Sequence, residues 1–208
     1  RMYGHLKPTG HPGDFPISDM LRITDRRLEE GFTVMKYSVI PPIKPIDSME
    51  MVDKVVERFA AVRERVGKAV DIAVDFHGRV SPAMSIRLLK ELEPYYPLFV
   101  EEPALPENVD EMVRVSRSTT IPIAAGERLF GKWGFRELIE KQAVSVVQPD
   151  LCHCGGIFEA RKIAAMAEVY HMQIAPHNPL GPISLAACIQ LDVCTPNLLA
   201  QEHPGMPD

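Results

Sequence analysis

Asp75, Glu101 and Glu127 each follow a short apolar run and stand 26 residues apart, and Asp150, His177 and Glu202 continue the series at 23, 27 and 25 residues. One acidic residue after a strand is ordinarily a loop residue or a helix cap. Six consecutive strand ends with a polar residue point instead to a shared site. Three carboxylates brought together repel one another, and a hard divalent cation relieves that repulsion. An all-oxygen donor set favours Mg²⁺, with Mn²⁺ as a substitute. Glu102 competes with Glu101 for the role. Strand alternation puts Phe99 and Glu101 on one side and Glu102 on the other, which favours Glu101. His77, two residues beyond Asp75, should share its direction. Asp150 and His177 end neighbouring strands, and a carboxylate bonded to an imidazole orients the ring and makes it a better base. The remaining histidines considered, His5, His11, His171 and His203, are read as structural or surface residues. Cys152-His153-Cys154 has no second cysteine pair at zinc-finger spacing and reads as a loop after Asp150.

These side chains need a scaffold that brings distant strand ends to one place. Apolar strand runs alternate with helical patterns along the whole chain. Ser18 is expected to cap a helix through Glu30, with Gly31 ending it. Val52, Val55, Val56, Phe59, Val62 and Val66 recur at three- and four-residue steps and mark one buried helix face. In all, eight strands and seven intervening helices are expected. That alternation implies parallel strands with right-handed crossovers, and eight of them a (β/α)8-type TIM barrel lacking its last helix. In that fold the carboxyl ends of the strands share one face, where active sites lie. An open doubly wound sheet would want a glycine-rich turn after its first strand, and Gly4-His5-Leu6-Lys7-Pro8 is not one.

The 208 residues are 46% hydrophobic and 25% charged, with a formal net charge of -5. No dense basic tract suggests nucleic acid, and no apolar run suggests a membrane span. Four scattered cysteines fit reduced thiols in a cytoplasm. The chain opens on Arg1-Met2-Tyr3-Gly4, which reads as the end of a strand, and it breaks off just after Glu202-His203. A single barrel domain over 1–208, part of a longer enzyme, is the expected organisation.

Five strings carry a family resemblance: Asp75-Phe76-His77-Gly78-Arg79, Glu101-Glu102-Pro103, Ala125-Gly126-Glu127-Arg128, Gln148-Pro149-Asp150 and Ala175-Pro176-His177. As an ordered set they resemble the mandelate-racemase branch of the enolase superfamily, and within it the D-galactonate dehydratases, which also share Leu180-Gly181-Pro182-Ile183. The resemblance implies a sugar-acid dehydratase, with Mg²⁺ held by Asp75, Glu101 and Glu127 and binding the substrate carboxylate. His177, supported by Asp150, would remove the C2 proton, and protonated His77 would release the 3-hydroxyl. Glu202 resembles the strand-eight acid that hydrogen-bonds substrate oxygens or the enolate; a surface glutamate is the plainer alternative. Racemases of this branch carry Lys-x-Lys on strand two. Here the triplet is Lys36-Tyr37-Ser38, which disfavours a two-base racemase. Lys36 is left either to neutralise the substrate carboxylate or to serve structurally. The resemblance also implies a separate N-terminal α+β capping domain, absent from this chain, and self-association. The loop from His5 to Pro16 and the stretch from Val39 to Asp47 are expected to shape the mouth.

Overall fold

The computed structural model describes residues 1–6, 15–38 and 40–203. Eight strands run in parallel: β1 (Met2–His5), β2 (Val34–Tyr37), β3 (Asp71–Asp75), β4 (Val100–Glu101), β5 (Ile123–Ala125), β6 (Val146–Val147), β7 (Gln173–Ile174) and β8 (Gln201–His203). The order β7-β6-β5-β4-β3-β2-β1-β8 leaves β7 and β8 at the ends. A parallel bridge between Ile174 and Leu198 brings those ends together, so the sheet curls into a ring. The helices are α1 (Ile17–Glu29), α2 (Met49–Val66), α3 (Pro82–Leu92), α4 (Val109–Ser116), α5 (Gly131–Glu140), α6 (Leu151–Cys154), α7 (Ile157–Val169) and α8 (Pro182–Asp192). This is the expected (β/α)8 TIM-barrel architecture, with β8 its last element among the described residues; residues 204–208 lie outside them.

The outer core is the seam between helices and strands. On α2 the predicted stripe is buried at Val52, Val55, Phe59, Val62 and Val66, with Val56 at its edge. Ser48 caps that helix, Ser81 caps α3 and Asn108 caps α4, each side chain accepting a backbone N–H of the first turn. Ser18 does not cap α1. That helix starts one residue earlier, with Pro16 before it and no side-chain cap, and Ser18 lies inside the first turn. Proline's fixed φ pre-organises the entry there, and Asp19 supplies negative charge to the helix start.

The inner core is a plug of eight side chains: Tyr3, Val34, Ala73, Phe99, Ala124, Val146, Ala175 and Ala200. Each strand, or the residue flanking it, contributes one. Alternation then places the inward-facing residue of every strand two positions further on. Those positions are His5, Lys36, Asp75, Glu101, Gly126, Gln148, His177 and Glu202. An apolar plug thus lies directly beneath a polar layer. His5 pairs with Lys36 and Asp75 with Glu101, while at alternate strand pairs the register steps by two residues, so that Lys36 faces Ala73, Glu101 faces Ala124 and Asp150 is bridged to His177.

Gly126 occupies its place in this layer for a steric reason. Its φ is +141°, and a Cβ there would sit 2.8 Å from the Phe135 ring and 3.0 Å from the Gln148 backbone. Gly126→Ala should therefore destabilise the fold by at least about 1–3 kcal/mol, the usual cost of over-packing, which urea denaturation would measure.

Candidate active site

The polar layer opens into a cavity of about 410 Å³ at the carboxyl ends of the strands. Lys36, Asp75, His77, Glu127, His177 and Glu202 line it, and Leu6 and Phe15 contribute an apolar wall. The loop expected at that edge lies partly outside the described residues, which exclude 7–14 and with them His11. Val39, from the second expected mouth segment, is excluded as well.

His177 is fixed through its ring. Nδ1 lies 2.8 Å from Asp150 Oδ2, which leaves Nε2 facing the cavity, 3.3 Å from Glu127 Oε2 and 4.0 Å from Glu202 Oε2. Asp150 does two jobs. Its Oδ1 accepts the backbone N–H groups of Cys152 and His153, so the segment expected to be a loop is the one-turn helix α6, capped by Asp150 itself. Burial alone would raise the Asp150 carboxyl, but the bonds from His177 and the Cys152 N–H outweigh it and hold the carboxyl below its ordinary range. Burial pushes the Cys154 thiol up to about 11, which weighs against a reactive thiolate there.

His77 faces His177 across Glu127. Its Nδ1 is 3.7 Å from Asp75 Oδ2 and its Nε2 is 3.7 Å from Glu127 Oε1. Burial, then the guanidinium groups of Arg128 and Arg79, lower its proton affinity. That direction works against the protonated acid the sequence resemblance implies, and it describes the site before an anion enters.

The carboxylates are crowded. Burial and then the charges of Glu101 and Glu102 push Glu127 up to about 9, and burial raises Asp75 despite the nearby Lys36. Glu101 is fully buried, with Lys36 Nζ donating to its two oxygens at 2.8 and 2.6 Å and Gln148 Nε2 donating at 2.7 Å. This is a donor set that a hard divalent cation suits, because the protein alone leaves one carboxylate to be neutralised by a proton. The described residues whose ligand atoms all fall within 4.8 Å of one another are, however, His77, Glu102 and Glu127. Glu102 is the residue set aside on strand alternation. Its two oxygens accept from Arg128 Nε at 2.9 and 2.8 Å, so its charge already has a counter-ion.

A pH dependence follows for the metal-free protein. A carboxyl raised in the folded state binds its proton there while the unfolded chain releases it, so stability falls as pH rises between the two values. For Glu127 that window runs from its ordinary value near 4.5 to about 9. Metal-free stability should fall by up to about 1.4 kcal/mol per pH unit there, and saturating Mg²⁺ should flatten the slope. Chemical denaturation at pH 5, 7 and 9, with and without Mg²⁺, measures both.

Two residues have partners that the sequence reading did not name. Lys36 is almost completely buried and bridges Glu101 to Glu202, lying 2.8 Å from Glu202 Oε1. Burial opposes its charge, but the two glutamates hold it well above the usual lysine range. His5, expected to be structural or on the surface, is buried on the cavity wall with Nε2 against Glu202 Oε1. Glu202 is fully buried and also accepts the Asn178 N–H at 2.5 Å. Burial would raise its carboxyl, yet Lys36, His5 and His177 together hold it well below the ordinary range. The strand pattern did carry a signal for His5, since it stands two residues after the plug residue Tyr3.

Comparison with known proteins agrees with this geometry. Residues 19–208 match the family described as enolase C-terminal domain-like. A D-galactonate dehydratase from Xanthomonas euvesicatoria pv. vesicatoria is 47% identical over 191 residues, covering 92% of this chain and 50% of that protein. A D-galactonate dehydratase from Variovorax paradoxus is 45% identical over the same shares. The chain thus spans about half the length of the curated relatives it matches. Among solved structures, a mandelate racemase/muconate lactonizing enzyme-like protein from Rubrobacter xylanophilus superposes with a TM-score of 0.94 at 34% identity, over 100% of this chain and 58% of that one. The counterpart from Roseovarius sp. TM1035 gives 0.92 at 35% identity, over 100% and 54%. A ring of parallel strands with acids and imidazoles at their carboxyl ends, matched almost end to end in sequence and in structure, places this chain in the enolase C-terminal domain-like family.

Proposed function

We propose that this chain is the catalytic barrel of a hydro-lyase that dehydrates a sugar acid, D-galactonate or a related aldonate, to a 2-keto-3-deoxy acid. The observation that carries the reading is the placement of two imidazoles, His177 and His77, on either side of one carboxylate cluster. Dehydration needs a base for the C2 proton and an acid for the departing 3-hydroxyl, about one substrate width apart. The length of the relatives favours a larger two-domain enzyme, with residues 1–208 as its barrel domain.

Asp75, Glu101 and Glu127 would hold Mg²⁺. Bound there, it would supply positive charge for the substrate carboxylate and for the charge that builds on it as C2 loses its proton. Glu101 is preferred to Glu102 because it stands opposite Asp75 in the inward-facing layer, whereas Glu102 sits in the left-handed turn that follows. Accordingly, Glu101→Gln should weaken Mg²⁺ binding in calorimetry by more than about 10-fold, well beyond the effect of Glu102→Gln.

His177 Nε2 takes the C2 proton, and Asp150 keeps the other nitrogen protonated and the ring aimed. His77 gives its proton to the leaving 3-hydroxyl, which departs as water. An anionic substrate beside His77 raises its proton affinity and so opposes the effect of Arg128 and Arg79. The enol left between C2 and C3 takes a proton at C3 and becomes the ketone. Glu202 and His5 form the wall against which substrate hydroxyls are read. Lys36 bridges Glu101 and Glu202 side by side, which favours the structural alternative for that lysine.

One observation favours a second reading, epimerisation at C2. The lowered proton affinity of His77 is what a second base would need. The buried ion pairs of Lys36 and the absence of a second lysine on β2 leave no lysine base for it. A panel of aldonates and aldarates with Mg²⁺, then with chelator, tests the dehydratase reading. Metal-dependent 2-keto-3-deoxy product supports it; epimer without keto acid would replace it with the second.

The substrate partner is a small sugar acid, with no nucleic acid or membrane implied. Among the described residues no helix is long and apolar enough to cross a membrane. All four cysteines are free, which suits a reducing cytoplasm, and a homo-oligomer is the expected assembly.

A further inference from the structure

We propose that Arg128 and Glu102 form a clamp that positions the His77 imidazole, so that loss of the 3-hydroxyl depends on a guanidinium that never touches substrate. This rests on the dehydratase reading of the same site. His77 has no hydrogen bond through its ring among the described residues. Its nitrogens stand 3.7 Å from Asp75 and from Glu127, beyond hydrogen-bonding distance, and its side chain is 41% exposed. Its direction is therefore set by its backbone, and that backbone is unusual. The φ of His77 is +52° and that of Glu102 is +44°, both left-handed conformations that non-glycine residues rarely adopt.

The two left-handed residues follow neighbouring strands and are tied together. Gly78 N–H donates to the Glu102 carbonyl at 3.0 Å. Arg128, arriving after β5, donates through Nε to both Glu102 oxygens at 2.9 and 2.8 Å and through Nη2 to the His77 carbonyl at 3.2 Å. Asp75 Oδ1 accepts the His77 N–H at 2.7 Å. Both backbone polar groups of His77 are thus held by side chains. Arg128 transfers no proton itself, although its Nε also stands 3.9 Å from Glu127 Oε1 and its charge lowers the proton affinity of His77. A lysine cannot reproduce its role, because a point charge cannot serve Glu102 and the His77 carbonyl through a planar fork.

The test uses the full-length protein with Mg²⁺ in deuterium oxide and the aldonate the wild type turns over. A wild type that makes no keto acid from any aldonate overturns the reaction assigned to the site, whatever the clamp does. With an active wild type, Arg128→Met should lower kcat for keto acid by about 100-fold, the cost of misplacing a reacting group by about 1 Å, with much less change in KM. Deuterium exchange at C2 of recovered substrate should continue, because His177 and Asp150 are untouched. Mg²⁺ affinity by calorimetry should stay within about 10-fold. Arg128→Lys should recover little of the loss. Glu102→Gln, nearly isosteric, should show the same split at about 10-fold and serves if Arg128→Met does not fold. Elimination and exchange falling together, unchanged or faster elimination, or lost Mg²⁺ binding would each overturn the clamp.

Discussion

His177→Gln is expected to lower keto-acid formation by about 10³-fold and to stop C2 deuterium exchange with it, since general-base catalysis contributes about 10²–10⁴-fold. Both signals are expected to vanish because a single nitrogen removes the C2 proton that exchange and elimination share. Nε2 is the only ring nitrogen available for that step, as Nδ1 is bonded to Asp150 at 2.8 Å. Glutamine keeps a polar side chain of similar reach but cannot accept and hold a proton. His77→Asn should separate the two signals. Elimination should fall by a comparable factor while exchange persists, because only the leaving group has lost its acid. Proton NMR of one reaction in deuterium oxide reads both. Exchange surviving in His177→Gln would move the base elsewhere, and His5, on the other side of Glu202, would be the first alternative.

Lys36→Met should be the most damaging substitution for the fold at this site. Lys36 lies between Glu101 and Glu202, within 2.6 Å of one and 2.8 Å of the other, and all three side chains are at most 2% exposed. Removing the cation leaves two carboxylates facing each other away from water, and breaking a buried pair in this way costs about 3–5 kcal/mol. For a chain of this size that is a fall in Tm of about 10 °C. The loss should grow with pH. Without Lys36 two buried carboxylates face each other, and charging both at higher pH favours unfolding. Added Mg²⁺ should restore part of the loss by supplying charge beside Glu101. Calorimetric melting at pH 5.5 and 8, with and without Mg²⁺, gives all four values. A variant that melts with the wild type would show that the two glutamates are neutralised by something other than Lys36.

The polar layer was legible because strands impose a period of two and the barrel imposes a common level. Asp75, Glu101, His177 and Glu202 could be found from the apolar run before each, and the same rule reaches His5. A lone histidine reads as structural or on the surface, and its partner Glu202 is 197 residues away. A first strand four residues long also gives little pattern to read. The turn geometry was not legible. Left-handed φ is signalled in sequence by glycine, and His77 and Glu102 take it with full side chains. Ser18 misled for the opposite reason: it is a good cap by type, but the proline two residues earlier starts the helix first. Asp150 was read as the partner of His177, and its second role as the cap of α6 comes from its other oxygen. The ambiguity between Glu101 and Glu102 was visible in the sequence as two adjacent acids. The structure separates them by counter-ion, Lys36 for one and Arg128 for the other.

The most direct test of the central claim is D-galactonate with the protein and Mg²⁺ in deuterium oxide, followed by NMR. The account predicts 2-keto-3-deoxy acid carrying deuterium at C3, formed only with metal. Galactonate recovered with deuterium at C2, or its C2 epimer, and no keto acid would contradict it.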